Sequence, residues 1–294
     1  MDTILVTGGN IGNHVAAQLA ERGARVRVLV RQMIPNPVWK GQGIEQVAGD
    51  LNNVDSLTEP FQGAKKFFSI FPLTENLPQM AVNTIEAAKR AGVEYIVRSS
   101  SMGAATDAPI MAARLHGQAE KSLERSGISH TIVRPSAFMQ NYLLSAASIQ
   151  AQSAFYMPQG DARIGLVDAR DIAAVAVEAL TGTGHEGKKY SLTGPEALSN
   201  QDVAEKLTRL LGRKINYVNV TDAQAEESMR AGGMPEWNVR AMLELLGVAR
   251  AGFMAALFLD AELVLKRKPI SFDRFLADHK ETFSGKKDAA TGTR

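Results

Sequence analysis

Cysteine is absent from this 294-residue chain, which excludes disulfides, thiol catalysis and cysteine-held metal, and leaves the redox compartment unmarked. The five histidines, His14, His116, His130, His185 and His279, form no metal-ligand spacing. Neither a G-x-S-x-G turn nor a G-x-x-x-x-G-K-[ST] loop occurs, so serine acyl transfer and nucleoside triphosphate hydrolysis lack their signatures. Lys and Arg number 33 against 31 Asp and Glu, a net charge of +2. They are scattered without a basic block, and nucleic acid is not an expected partner. No apolar run reaches the roughly 20 residues that a bilayer requires. The most apolar late stretch, Gly252 to Leu265, is interrupted by Asp260 and Glu262; it reads as a buried helix or a partner surface, and no membrane is expected. Met1-Asp2-Thr3 leads directly into an apolar strand with no leader-like segment, so the expected location is the cytoplasm.

What is present begins with Ile4-Leu5-Val6-Thr7-Gly8-Gly9-Asn10-Ile11-Gly12. A short β-branched run enters glycines, and Val15, Ala16 and Leu19 follow at helical spacing. Strand, tight turn and helix start predict an anion site, because a helix N-terminus offers unpaired N–H groups and glycine lets a pyrophosphate approach them. The glycines depart from G-x-G-x-x-G: Gly8 and Gly9 are adjacent, and only Gly9-x-x-Gly12 keeps the interval. The plainer alternative is a turn that needs glycine for its geometry alone. At the end of the next strand, Arg25 to Val30, an NAD-binding unit carries Asp or Glu for the ribose hydroxyls; this chain has Arg31. A guanidinium there suits a 2′-phosphate, which favours NADP(H) over NAD(H), although an arginine at a strand end is also commonly just solvated.

Candidate strands at Ile44 to Ala48, Lys65 to Ile70, Tyr95 to Ser99 and Thr131 to Arg134 alternate with helical patterns at Asn53 to Phe61, Leu77 to Ala91 and Ala112 to Ser126. With hydrophobic residues at 45%, the chain can bury a large core. The alternation predicts an α/β fold: a Rossmann-type doubly wound parallel sheet with a smaller, interleaved C-terminal α/β substrate domain. Expected boundaries are 1–135 for the NADP-binding domain, with a returning segment near 166–182, then 136–283 for mainly substrate binding and 284–294 as a disordered tail. The second part predicts a helix at Ala137 to Ser148, an Asp168-x-x-Asp171 turn opening a helix through Leu180, with Asp171 as its cap, and a strand at Lys189 to Leu192. A helix at Gln201 to Leu211, a strand at Ile215 to Val220 and further helices to Phe283 complete it. Ligands in such sheets bind beyond the carboxyl ends of the strands, and a cleft between the two parts is the expected substrate site.

His116 and Glu120 fall at i and i+4 of a predicted helix, hence on one face. Short-chain reductases carry Tyr-x-x-x-Lys on the matching helix, and neither residue stands here. His116 is therefore a candidate for binding a cofactor ribose or a substrate oxygen, with Glu120 holding its ring. An exposed His–Glu helix pair is the equal alternative. Met139, Tyr142, Met157, Met234 and Trp237 are candidates for an apolar substrate pocket and equally for core.

The chain resembles the NmrA-like branch of the atypical short-chain dehydrogenase/reductases. The resemblance covers almost the whole sequence. It rests on Ile4 to Gly8, Gly9-Asn10-Ile11-Gly12, Leu29-Val30-Arg31, Gly49-Asp50-Leu51, Ser99-Ser100-Ser101, His116-x-x-x-Glu120 and Val133-Arg134-Pro135. It continues in Phe138-Met139-Gln140-Asn141, Leu192 to Leu198 and Phe272 to His279. It implies an NADP(H)-binding reductase similar to the type 2 quinone oxidoreductases and the triphenylmethane or azo dye reductases, acting on a small molecule. By position it implies Thr7, Gly8, Gly9, Asn10, Ile11 and Gly12 at the pyrophosphate, Arg31 at the 2′-phosphate, and Asp50 with Leu51 at the adenine. Phe71 and Pro72 would flank the ribose, and Ser99, His116, Pro135 and Phe138 the nicotinamide end. The family usually reads Val-Thr-Gly-Ala-Thr-Gly-x-x-Gly, so this chain has two residues fewer between Gly8 and Gly9, and its turn must take another path.

Three functions stay open at this level. The first is hydride transfer from NADPH to a quinone or similar conjugated, electron-poor acceptor. The second is a redox sensor that binds NADP(H) with little turnover and contacts a regulatory protein. The third is an isomerase or reductase of a specialised biosynthetic pathway. A homodimer is compatible with each.

Overall fold

The computed structural model describes residues 2–34 and 36–285. The chain runs β1 (Thr3–Thr7), α1 (Asn10–Glu21), β2 (Arg25–Val30), α2 (Pro37–Gly41), β3 (Glu45–Ala48), α3 (Thr58–Phe61), β4 (Ala64–Ser69), α4 (Leu77–Ala91), β5 (Tyr95–Ser99), α5 (Met111–Glu124) and β6 (Ser129–Pro135). It continues through α6 (Ala146–Gln152), β7 (Ala154–Met157), β8 (Ile164–Gly165), α7 (Ala169–Thr181), β9 (Lys189–Leu192), β10 (Ala197–Leu198), α8 (Asn200–Leu211) and β11 (Asn216–Asn219). It closes with α9 (Asp222–Ala231), α10 (Glu236–Arg250), α11 (Asp260–Leu265), α12 (Phe272–Asp278) and α13 (Lys280–Ser284).

These elements form two compact units. The first holds the chain up to Pro135 together with Ala169–Leu192 and Leu259–Arg267. The second holds Ser136–Asp168, Thr193–Phe258 and residues 268–285.

The first unit is built on a seven-stranded sheet of order β3-β2-β1-β4-β5-β6-β9. Every pairing is parallel. This is a Rossmann-type doubly wound sheet, and its order reverses between β1 and β4, where such sheets open a crevice for ligands. β1 and β5 are buried along their whole length, as strands covered by helices on both faces must be. Leu5, Leu29, Phe61, Phe67, Ile96 and Ile132 belong to one core cluster. α4 shows why its segment is helical. Pro78 lies in its first turn, Lys89 and Arg90 complement the dipole of its last, and Gly92 ends it at φ +71°.

The second unit pairs β7 with β11 in parallel and β8 with β10 antiparallel. α8 begins with a capping box in which Ser199 and Asp202 satisfy each other's backbone N–H groups. Its core centres on aromatic rings: Tyr142 meets Phe155 and Phe272 edge-on, with centroids 5.9 and 5.3 Å apart.

Several elements differ from the sequence expectation. The helix expected over Ala137 to Ser148 is a 3-10 turn over Met139–Ser145 that passes into α6. Phe138 is still paired with Val167, and the Met139 N–H donates to the Val167 carbonyl, which holds the chain extended up to that point. Asn53 to Phe61 likewise splits into a 3-10 turn (Val54–Leu57) and the single turn of α3. Asp171 lies inside the first turn of α7, its carboxylate 2.7 Å from Arg267, rather than at the capping position. Gly252 to Leu265 is not one buried helix. Gly252 takes φ +84°, the Met254 carbonyl accepts from the Gly165 N–H, and the Phe258 N–H donates to Thr193, so the helix starts only at Asp260. Phe253 is left 76% exposed. Of the tail expected from Ser284, Ser284 ends α13, and 286–294 lie outside the described residues. No helix among the described residues is long and apolar enough to cross a membrane.

Candidate functional site

The glycine turn stands at the carboxyl end of β1. Only Gly8 and Gly9 separate the strand from α1, and each glycine there has a separate reason. The Gly8 N–H donates to the Leu29 carbonyl at 2.9 Å, and Gly9 takes φ +119°, a conformation closed to side chains. A Cβ on Gly12 would lie 1.9 Å from the Thr7 carbonyl oxygen, so the first turn of α1 packs directly on the strand end. Thr7 ties the reversal point, donating from its hydroxyl to the Phe68 carbonyl at 3.0 Å. α1 has no acidic residue in its first turn, and its first helical bond runs from Asn13 to the Gly9 carbonyl. The amides of Asn10, Ile11 and Gly12 therefore precede any helical acceptor. The Gly9 N–H instead donates to the Asn13 side chain at 3.3 Å. The shortened turn is thus a compact, carboxylate-free cradle whose helix dipole favours an anion.

The neighbouring strand ends add to it. Arg31 is exposed just beyond β2. Asp50, beyond β3, accepts from the Asn52 backbone at 2.9 Å and from its side-chain amide. These bonds and the Arg31 charge hold the Asp50 carboxyl below the usual range against the opposing effect of burial. The Leu51 carbonyl is fixed by the Asn83 amide at 2.9 Å. Beyond β4, Phe71 is buried with the Arg98 guanidinium 4.5 Å from its ring centre. Ser99 closes β5 and is buried, and the Pro135 carbonyl at the end of β6 accepts from the Met102 N–H.

On α5, Gly117 lets the helix lie against the backbone of Ala105, which a Cβ would approach to 2.2 Å. His116, the residue before Gly117, has its Nδ1 enclosed and without a hydrogen-bond partner. Burial, with the nearby Arg98 charge, lowers its pKa to about 3, so the imidazole is neutral at pH 7.

Glu120 does not hold the His116 ring, as the i, i+4 spacing suggested. Its Oε1 accepts from the Ser100 hydroxyl at 2.5 Å and from Arg134 Nε at 2.9 Å. Its Oε2 takes Arg134 Nη2 and, at 3.5 Å, Lys189. Glu120 is a buried knot joining α5, β6 and β9, and desolvated carboxylates need such company. Arg98 was missed by sequence reasoning, which noted Ser100 only as part of the Ser99-Ser100-Ser101 strand end and gave it no role. The signal for Arg98 was an arginine within the otherwise apolar run Tyr95-Ile96-Val97 before the serines.

The remaining candidates belong to the second unit. Met139 and Tyr142 are 1% and 4% exposed and lie in its core, with Met157 packed partly against them. The Tyr142 hydroxyl donates to Asn200 at 2.8 Å. For Met139 and Tyr142 the packing reading prevails over an open pocket. Met234 and Trp237 are half-buried and stand outside that cluster. No group of three potential metal ligands occurs among the described residues.

Comparison with known proteins places the chain among reductases in sequence and fold. The chain is 39% identical over 282 residues to an NAD(P)H azoreductase of Xenophilus azovorans, covering 95% of this chain and 99% of that one. It is 34% identical to a (4-alkanoyl-5-oxo-2,5-dihydrofuran-3-yl)methyl phosphate reductase of Streptomyces griseus, over 96% and 99% of the two chains. Among solved structures it is similar to an NADPH-dependent quinone oxidoreductase from Escherichia coli complexed with NADPH, at TM-score 0.81 and 26% identity over 94% and 99% of the chains. Residues 1–253 match the NmrA-like family. The chain belongs to the NmrA-like family.

Proposed function

We propose that this chain is an NADPH-dependent oxidoreductase that reduces a quinone or a similarly conjugated, electron-poor acceptor. The observation that carries the reading is the glycine turn at the sheet's reversal point, where Gly12 brings carboxylate-free helix amides against the end of β1. An anionic cofactor fits this cradle, since the pyrophosphate would meet the amides of Asn10, Ile11 and Gly12 where a Cβ would obstruct the turn. Support comes from the relatives, two of them named for NAD(P)H or NADPH and for azo or quinone reduction.

In this reading Arg31 meets the 2′-phosphate, Asp50 and Leu51 the adenine, and Phe71 with Pro72 the ribose. Ser99, His116 and Pro135 border the nicotinamide end. When bound, NADPH supplies the hydride. His116, neutral at pH 7, offers a hydrogen bond without carrying a charge, so its part is to orient a ribose hydroxyl or an acceptor oxygen. α5 carries no tyrosine, and an electron-poor acceptor needs no strong protein acid: alignment within reach of the cofactor supplies most of the acceleration. Glu120, through Ser100, Arg134 and Lys189, anchors α5, the helix that carries His116.

The test is calorimetric titration with NADPH and NADH, followed by NADPH oxidation at saturating cofactor with benzoquinone, naphthoquinone and azo dyes. Expected are tighter NADPH binding and steady oxidation that requires an acceptor. Binding without turnover across the panel would convert the assignment to a sensor, and absence of binding would remove it.

A further inference from the structure

Beneath Phe71, β5 carries a fully buried arginine. Arg98 is 1% exposed. Its Nη1 donates to the Ser69 hydroxyl at 3.3 Å, while Nε and Nη2 are enclosed and have no partner. These two nitrogens form one edge of the guanidinium, so their N–H bonds run nearly parallel and aim at a single point. Arg98 also lines, with Ser69, Phe71, Thr84 and the apolar side chains of Phe67 and Ala81, a small cavity of about 10 Å³, room for one water-sized atom.

Charge decides what that atom is. The Glu120 carboxylate is felt by Arg98 and opposes the lowering of its pKa to about 10 by burial. Arg98 is thus a cation at pH 7. Both Glu120 oxygens, however, are held by Ser100, Arg134 and Lys189, and Glu124 also pairs with Lys189. Among the described residues Arg98 has no ion-pair partner of its own. The Phe71 ring covers one face of the guanidinium without supplying negative charge. A water in the fork would accept both N–H bonds and leave the cation uncompensated, whereas a monatomic anion does both, and an unpaired buried ion is among the most destabilising features a fold can carry.

We propose that the fork of Arg98 binds a single halide ion, chloride in solution, in the cavity bounded by Ser69, Phe71 and Thr84. The ion is structural: it neutralises β5 from within.

Wild-type protein exchanged into sodium gluconate is compared with the same protein in chloride, bromide and sulfate at equal ionic strength. Chloride and bromide should raise Tm by about 3 °C, the effect of a site near ten-fold saturation, and sulfate, too large for the cavity, should match gluconate. Bromide-soaked wild-type crystals should show an anomalous peak at hydrogen-bond distance from both Nε and Nη2. Arg98→Met, where it folds, should lose the halide response. Equal Tm in all four salts, or a fork without an anomalous peak, overturns the proposal. Both of those readouts use wild-type protein, so they decide the matter even if the variant fails to fold.

Discussion

Arg31 is exposed and lies close enough to Asp50 to lower its carboxyl pKa, after the larger effect of the Asn52 hydrogen bonds. An arginine so placed is worth little to the fold, since exposed ion pairs contribute about 0–1 kcal/mol. In the proposed function its value lies in meeting the 2′-phosphate of NADPH. Arg31→Ala should therefore weaken NADPH about 10- to 100-fold, the scale of a lost charge-assisted hydrogen bond, and change NADH little; equal losses in calorimetry would take Arg31 out of the 2′-phosphate role. Glu120 is the opposite kind of residue, buried and serving the fold. Glu120→Gln leaves Arg134 and Lys189 without their shared counter-ion. Because those side chains are 23% and 41% exposed, the cost should be about 2–3 kcal/mol in urea unfolding, below the 3–5 typical of a fully buried pair. Ser100 and Arg134 stand 20 and 14 residues from Glu120. No local pattern in a single sequence relates such positions, which is why the i, i+4 neighbour His116 looked like the natural partner.

At the scale of elements, long buried strands and capped helices were legible, and short or tertiary-determined ones were not. α4 and β5 lie where the apolar pattern put them, because the core on each side repeats at helical or strand spacing. β8 and β10 have two residues each, too few for any period, and exist because a neighbouring segment supplies the partner. The Met139–Ser145 turn departs from an α-helix for a similar reason, the Val167 ladder. The glycine turn was legible in kind and not in path: adjacency of Gly8 and Gly9 announced a tight reversal, while the approach of Gly12 to Thr7 is set by how α1 packs on β1. Gly12→Ala tests the turn as an element. Its methyl would fall 1.9 Å from the Thr7 oxygen, and the obstacle is backbone, so α1 must shift off β1. A stability loss of about 3 kcal/mol or more is expected, with NADPH binding falling alongside it; a variant of unchanged Tm and affinity would contradict the close approach.

For the whole molecule, the acid side of the stability curve should begin to fall earlier than its carboxylates dictate. His116 has a pKa lowered from 6.5 to about 3 by burial and the Arg98 charge, so between those values the unfolded chain binds a proton that the folded chain refuses. Stability then rises with pH across that window, and in the acid direction it is lost from about pH 6.5 downward, at up to about 1.4 kcal/mol per pH unit. Asp50, Glu124 and Asp202, each with a lowered pKa, act in the same direction but only once the pH nears the carboxylate range. Two onsets should separate. In wild-type protein Tm should begin to decline below about pH 6.5, and in His116→Asn, which cannot titrate, the decline should start only near pH 4–5. If the two proteins share one acid profile in thermal melts, His116 is not held neutral by its surroundings, and its assignment as an uncharged hydrogen-bonding group beside the cofactor falls with it.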